Sequence, residues 1–253
     1  MIMFKRDTLL SEFIPECKDW VFNKQVVEVF PDMIQRSIPG YNHLIFMIGV
    51  LAKYCVQEKS QVYDLGCSVG TVSIEIQKNI TVKSCKIIAI DNSPAMVECC
   101  RSYIKQHSNS DVLVEIYEND IRKVSIQNAS LVVLNFTLQF LHPDDRQELI
   151  NNIWKGLNPQ GVLVLSEKFH YVDKDLNTLL TNMHDNFKRD NGYSDLEIHQ
   201  KRCMLEKVML TDTFETHVQR IQNSGFQNYG LWFQHFNFGS FIALKKGYTS
   251  GFF

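Results

Sequence analysis

From Gln61 onward the chain alternates short apolar runs with longer stretches of helical periodicity. "QVYDLG" reads as a strand closing on a turn, "TVSIEIQKNI" as a helix and "CKIIAID" as a β-rich run. In "SPAMVECCRSYIKQH", Ser93 stands at a helix N-cap and Pro94 at the first helical position. "DVLVEIYEND" and "ASLVVLNFTL" read as further strands, the second apolar enough to lie centrally in a sheet. "PDDRQELINNIWKGL" sets Leu149, Ile150, Ile153, Trp154 and Leu157 at helical spacing, "NPQG" breaks it, and "VLVLSEKF" is the next strand. Strand–helix–strand alternation predicts an α/β fold, a doubly wound and mostly parallel sheet with helices on both faces.

Two regions depart from that rhythm. Residues 173–210 hold no strand run and read as a helical insertion after the fifth strand. The first 55 residues are helical in pattern and read as an N-terminal cap. Within them "LIFMIGVLAKY" is interrupted by Lys53 and falls short of the ~20 residues of a membrane span, so it reads as a buried helix. "TFETHVQRIQNSG" is a helix ended by Gly225, and "NYGLWFQHFN" with "GSFIALKK" forms a terminal antiparallel pair. Without a repeat or a Pro/Ser-rich linker, 1–253 reads as one domain: cap 1–55, nucleoside-binding core 56–172, insertion 173–210, and final helix with strand pair 211–247. The tail "KKGYTSGFF" is expected to be mobile.

Charge and cysteine usage narrow the partners. A formal net charge of −2 provides no global basic field, so direct nucleic-acid binding is not expected. The seven cysteines are odd in number and form no C-x-x-C pair, which predicts reduced thiols in a cytoplasmic protein and no zinc knuckle. His142, His170, His184 and His199 lack paired ligand spacing and read as surface or packing residues, so no metal is expected. "MIMFKRDTLL" reaches charge too early for a signal-peptide core, and no membrane association is expected.

The candidate chemistry sits on the first turn, "YDLGCSVG", at the carboxyl end of the first strand, where doubly wound sheets bind ligands. Gly66 allows a backbone approach that a Cβ would block. A phosphate loop sets its two glycines five positions apart and follows the second with lysine; here Gly66 and Gly70 are four apart and Thr71 stands in the lysine's place. A dinucleotide turn needs a second glycine where this chain has Ser68. Asp91, 25 residues after Gly66, ends the second strand, where a carboxylate accepts ribose hydroxyls. Asp120 ends the third, placed to accept from an adenine amino group with Ile121 against the ring. Ribose, adenine and a small zwitterionic tail describe S-adenosylmethionine. Cys67 has no histidine near it in sequence and reads as a small residue beside the ligand.

These residues resemble the class I S-adenosylmethionine-dependent methyltransferases, whose Rossmann-like seven-stranded sheet ends in an antiparallel hairpin. "VVEVFPDMIQRSIPGY", "IAIDNSPAM", "VVLNFTLQFL", "GLNPQGVLVLSEKF", "FKRDNGYSDLEIHQKR", "MLTDTFETH" and "LWFQHFNFGS" are similar, over about residues 5–245, to the carboxy-S-adenosyl-L-methionine synthase family. The resemblance implies that S-adenosylmethionine and prephenate become carboxy-S-adenosylmethionine and phenylpyruvate. The product then serves a separate tRNA carboxymethyltransferase at the wobble uridine. The methyl of a sulfonium is weakly acidic and prephenate loses carbon dioxide and hydroxide on becoming aromatic; the mechanism that the resemblance implies has that hydroxide take the methyl proton. No dedicated protein base is then needed.

The resemblance also implies a homodimer. It carries the ligand contacts to Tyr41, to Gly66, Cys67 and Ser68, to Asp91 and Asn92, to Asp120 and Ile121, to Asn135, and to Arg202. The new carboxylate needs a cation, and a guanidinium offers a planar fork that stays charged. Arg202 fills that role here, with the Tyr41 hydroxyl as a second donor, and these two are the expected catalytic residues. The residues taken alone leave open an ordinary methyltransferase with a small acceptor, and a binding protein that stores the carboxylated cofactor.

Overall fold

A computed structural model describes residues 4–16, 18–108 and 111–247. Strands β1 (Gln61–Leu65), β2 (Lys86–Asp91), β3 (Leu113–Glu118), β4 (Ala129–Asn135), β5 (Leu157–Lys168), β6 (Asn228–His235) and β7 (Phe238–Leu244) form one sheet in the order β3-β2-β1-β4-β5-β7-β6. The first five are mutually parallel; β7 runs antiparallel to both β5 and β6. The chain reverses its direction of travel across the sheet between β1 and β4, so the binding crevice opens at their carboxyl ends.

Side chains of period two feed two cores. On one face Tyr63, Leu65, Ile88, Ile90, Val132 and Leu134 meet helix α5 (Pro143–Gly156) and helix α8 (Phe214–Asn223). On the other, Val62, Ile87, Leu131 and Val133 meet α2 (Tyr41–Cys55) and α3 (Thr71–Asn79). Burial on both faces explains why these strands read as continuous apolar runs. The greasy "LIFMIGVLAKY" is in α2, with Leu44, Ile45, Ile48 and Ala52 inside and Phe46 and Tyr54 exposed. Helix α4 (Pro94–His107) starts where expected, with Ser93 Oγ accepting from the Met96 N–H at 3.2 Å.

The helical cap begins later than its pattern suggests. Helix α1 spans Lys24–Ser37, while the described residues before it contain no helix. That leading segment is held instead by side chains: Gln200 Nε2 donates to the carbonyls of Leu10 and Glu12, both at 2.9 Å, and the Tyr193 hydroxyl donates to Asp7 at 2.5 Å. "NPQG" does not separate helix from strand. Leu157 pairs with Ala129 and Val162 with Leu131, so the four residues between bulge out of β5, with Gln160 at φ 67°. Leu157 therefore belongs to the sheet and not to the helix face on which its spacing placed it. The insertion comprises α6 (Lys174–Asp190) and α7 (Asp195–Leu205), the second opened by a Ser194–Glu197 capping box. The end of the tail, residues 248–253, lies outside the described residues, as does Cys17.

Candidate active site

The glycine turn is shaped by three left-handed residues, Gly66 (φ 84°), Ser68 (φ 50°) and Gly70 (φ 89°). A Cβ on Gly66 would stand 2.4 Å from the Thr137 side chain, so this position needs glycine for space as well as for conformation. The turn spends its own donors. Gly66 and Cys67 both donate to the Ile90 carbonyl (2.8 and 2.9 Å), Gly70 donates to the Cys67 carbonyl (2.8 Å), and Ser68 donates to Asp91 Oδ2 (2.9 Å). With those N–H groups committed they cannot cradle a phosphate, in agreement with the sequence argument against phosphate and dinucleotide loops.

Asp91 links the tip of β2 to its surroundings through both oxygens, since Oδ1 accepts from the Ser93 N–H at 2.9 Å. Burial raises its pKa, and the N–H groups of Ser93, Ser68 and Asn92 oppose that rise. Asp64, one strand over, is buried beneath the turn rather than in the crevice. Ser73 Oγ donates to it at 2.6 Å, and burial pushes its pKa up to about 6. It braces β1 against α3.

A cavity of about 510 Å³ lies over the carboxyl ends of β1, β2, β4 and β5, a volume ordinary for a small-molecule site. All ten residues singled out from the sequence line it. Tyr41 reaches in from the first turn of α2; burial raises its pKa, and among the described residues its hydroxyl has no hydrogen-bond partner. Gly66, Cys67 and Ser68 form one wall, Asp91 and Asn92 the next. The Cys67 thiol is held neutral by its contact with Cys100 and by burial, which suits packing rather than nucleophilic attack.

Asp120 caps the short turn Ile121–Lys123, and both its oxygens are taken by the Arg122 guanidinium, which holds its carboxyl below the usual range. Its first partner is thus Arg122. Ile121 is buried beside it. Asn135, at the tip of β4, lines the cavity with a buried Oδ1 that has no donor. A buried amide oxygen left unpaired is costly, and a ligand N–H would satisfy it.

Arg202 on α7 faces the crevice from the insertion, where it is bound to Asp185 of α6. Asp185 also takes Lys188 at 3.2 Å. Burial opposes ionisation of Asp185, but Arg202 and Lys188 outweigh it and hold the carboxyl below its usual pKa. The fork is therefore oriented by a carboxylate.

Several cavity residues were not picked out beforehand. Trp20 and Phe22, from the segment before α1, close the roof, with Phe22 edge-on to Phe140 at 5.3 Å. His184 is buried in the wall, its Nε2 2.7 Å from the Ser37 carbonyl, and burial with Lys168 and Lys188 nearby drives its pKa down to about 2. Lys168, the last residue of β5, lines the cavity too. Beneath the loop 136–141, Glu167 accepts from the N–H groups of Leu138 and Gln139, each at 2.9 Å. Arg146, fully buried, donates to the carbonyls of Leu141 (2.8 Å) and Leu210 (2.7 Å) and to Asp212 at 2.6 Å. Its sequence signal was available: Arg146, Leu149, Ile150 and Ile153 share one helical stripe. No grouping of His, Cys, Asp and Glu among the described residues has the arrangement of a metal site, and no described helix is long and apolar enough to cross a membrane.

Comparison with known proteins agrees with this geometry. The methyltransferase domain family matches residues 62–161, the strands and turns that build the crevice. Among solved structures, an O-methyltransferase family protein of Burkholderia thailandensis superposes with a TM-score of 0.64 at 14% identity, covering 89% of this chain and 61% of that one. Human N-acetylserotonin methyltransferase, solved with S-adenosylmethionine, gives 0.57 at 16% identity, covering 88% and 56%. At those identities the likeness is one of fold. Whole-chain relatives are much nearer. The carboxy-S-adenosyl-L-methionine synthase of Erwinia tasmaniensis is 61% identical over 247 residues, covering 98% of this chain and all of the relative. That of Escherichia coli is 58% identical over 243 residues, covering 96% and 98%. The chain is an enzyme and belongs to the carboxy-S-adenosyl-L-methionine synthase family.

Proposed function

We propose that the protein converts S-adenosylmethionine and prephenate into carboxy-S-adenosylmethionine, phenylpyruvate and water. The observation that carries this reading is the division of charge across one cavity. Acids stand at the tips of β2 and β3, on one side of β1; Arg202, Lys188 and Lys168 stand on the other, past β5. A nucleoside fits the acidic side: Asp91 keeps lone pairs for ribose hydroxyls, Ile121 offers an apolar surface to the adenine, and Asn135 Oδ1 lacks a donor that the ligand's ammonium supplies. An ordinary transferase gains nothing from a cation beside a methyl already attached to a positive sulfur. An added carboxylate does, because a guanidinium holds it by two parallel charge-assisted bonds.

The chain's contribution is positioning and exclusion of water. Trp20, Phe22 and Phe140 roof the reacting atoms. Asp185 aims the Arg202 fork, and the Tyr41 hydroxyl stands free to donate. The atoms balance without a protein base: prephenate releases carbon dioxide and hydroxide, the hydroxide removes one methyl proton as water, and the carbon dioxide joins the methyl carbon. In this reading the enzyme works in the cytoplasm as a homodimer and passes its product to a separate tRNA carboxymethyltransferase. The net charge of −2 suits a synthase that does not itself hold tRNA.

Mass spectrometry of the purified protein with S-adenosylmethionine, with and without prephenate, tests the proposal. Gain of a carboxyl group only when prephenate is present supports it. Methyl loss to S-adenosylhomocysteine, independent of prephenate, refutes it in favour of an ordinary methyltransferase.

A further inference from the structure

The cation side of the cavity holds more positive charge than one carboxylate needs. Lys188 and Arg202 share Asp185. Lys201 sits 3.4 Å from Asp7 and 3.3 Å from the Ser37 hydroxyl, over the Tyr193 ring. Lys168 differs. Its backbone N–H donates to Gln139 Oε1 at 3.2 Å, which fixes the end of β5, but among the described residues its ammonium makes no hydrogen bond or ion pair. That ammonium lies over the Phe238 ring, 5.5 Å from its centroid. Asp185 answers Lys188 and Arg202, and Asp7 answers Lys201; of these four cations Lys168 is the one without a carboxylate partner among the described residues.

An ammonium in such a place is destabilising. Burial, together with Lys188 and Arg202, depresses its pKa to about 8, and Asp185 opposes only in part. His184, also facing it, stays neutral and offers no compensation. A cation kept at such a cost in a ligand cavity marks an anion site. Arg202 is already assigned to the carboxylate that forms on the methyl carbon. The co-substrate brings two carboxylates, one lost as carbon dioxide and one retained in the keto acid that leaves.

We infer that Lys168 anchors the carboxylate that the co-substrate keeps, so that the β5 end forms a second anion subsite for an α-keto acid beside the Arg202 site. The inference rests on the reaction proposed above. Phe238, packed at the Lys168 ammonium, and the neighbouring Phe136, 6.0 Å from Phe238 ring to ring, give the subsite an aromatic flank for a six-membered ring.

The test is calorimetric titration of phenylpyruvate into protein saturated with S-adenosylmethionine, for wild type, Lys168→Met and Lys168→Arg. We expect wild type to bind, Lys168→Met to bind at least ~10-fold more weakly, and Lys168→Arg to recover most of the loss, because a charge and not an amine base is required. S-Adenosylmethionine affinity should stay within about twofold throughout. Lys168→Met removes an unpaired cation and should melt no lower than wild type, which separates a binding defect from misfolding. Equal binding of phenylpyruvate by wild type and Lys168→Met overturns the inference, and so does absence of binding by wild type. These readouts involve no turnover. A wild type that binds the keto acid yet forms no carboxylated product would sink the proposed reaction and leave the anion subsite standing.

Discussion

Asp91→Asn isolates the residue on which the nucleoside side of the crevice depends. The carboxylate takes the Ser68 N–H on one oxygen and the Ser93 N–H on the other, each at 2.9 Å. An amide has one oxygen, so whichever way Asn is turned its NH2 meets a backbone donor. One charge-assisted bond is lost and a buried N–H is left unpaired, at a cost of about 2–3 kcal/mol. For a chain of this length each 1 kcal/mol shifts the melting temperature by roughly 2–4 °C, so Asp91→Asn should melt about 5–10 °C lower. Ligand binding suffers separately. A carboxylate that accepts ribose hydroxyls contributes about 1.5–3 kcal/mol, equivalent to a roughly 10- to 150-fold weaker dissociation constant for S-adenosylmethionine. Calorimetry at a temperature well below the variant's transition reads that loss on folded protein. If Asp91→Asn bound S-adenosylmethionine within twofold of wild type, Asp91 would not be a ribose contact, and the orientation of the nucleoside argued here would be wrong.

Further outcomes follow from the same geometry. Gly66→Ala forces a left-handed alanine, at about 1–2 kcal/mol, against Thr137 at 2.4 Å, and should reduce S-adenosylmethionine affinity at least ~10-fold by titration; unchanged affinity would mean the turn is not against the ligand. Arg146→Met leaves the carbonyls of Leu141 and Leu210 and part of Asp212 without their donor and should cost about 3–5 kcal/mol, a fall of roughly 10 °C in melting temperature; a change under about 2 °C would contradict the bracing role. Arg202→Ala should remove a preference for carboxy-S-adenosylmethionine over S-adenosylmethionine worth about 1–3 kcal/mol, measured by competition; an unchanged preference would take Arg202 out of the site. Phenylpyruvate affinity should fall by up to ~10-fold per pH unit above about 8, as Lys168 loses its proton, and Lys168→Met should abolish that fall. Lys201, also depressed to about 8 but paired with Asp7, remains in the variant, so a persisting fall would reassign the titration to it.

The sheet was legible because its strands are buried on both faces and its helices carry one apolar stripe, which are the two periodicities that sequence displays. Where a local device overrode the pattern, the reading slipped. Leu157 continues the spacing of α5 but follows it directly into β5, and the bulge at 158–161 absorbs what "NPQG" suggested was a break. The segment before Lys24 has helical spacing yet is pinned by Asp7, Leu10 and Glu12 to side chains nearly 190 residues away, contacts that no local window contains. The glycine turn and the strand tips could be read because their chemistry is local. Lys168 and His184 could not, since a lone lysine ending a strand and a lone histidine on a helix acquire meaning only when α6 folds back over β5.

The most direct measurement follows the carbon itself. Prephenate labelled with carbon-13 in its ring carboxylate is supplied with unlabelled S-adenosylmethionine, and the carboxylated nucleoside is weighed by mass spectrometry. The account predicts that the label appears in the new carboxyl group in step with phenylpyruvate release. A carboxylated product without the label, or a methyl-depleted nucleoside in its place, would contradict it.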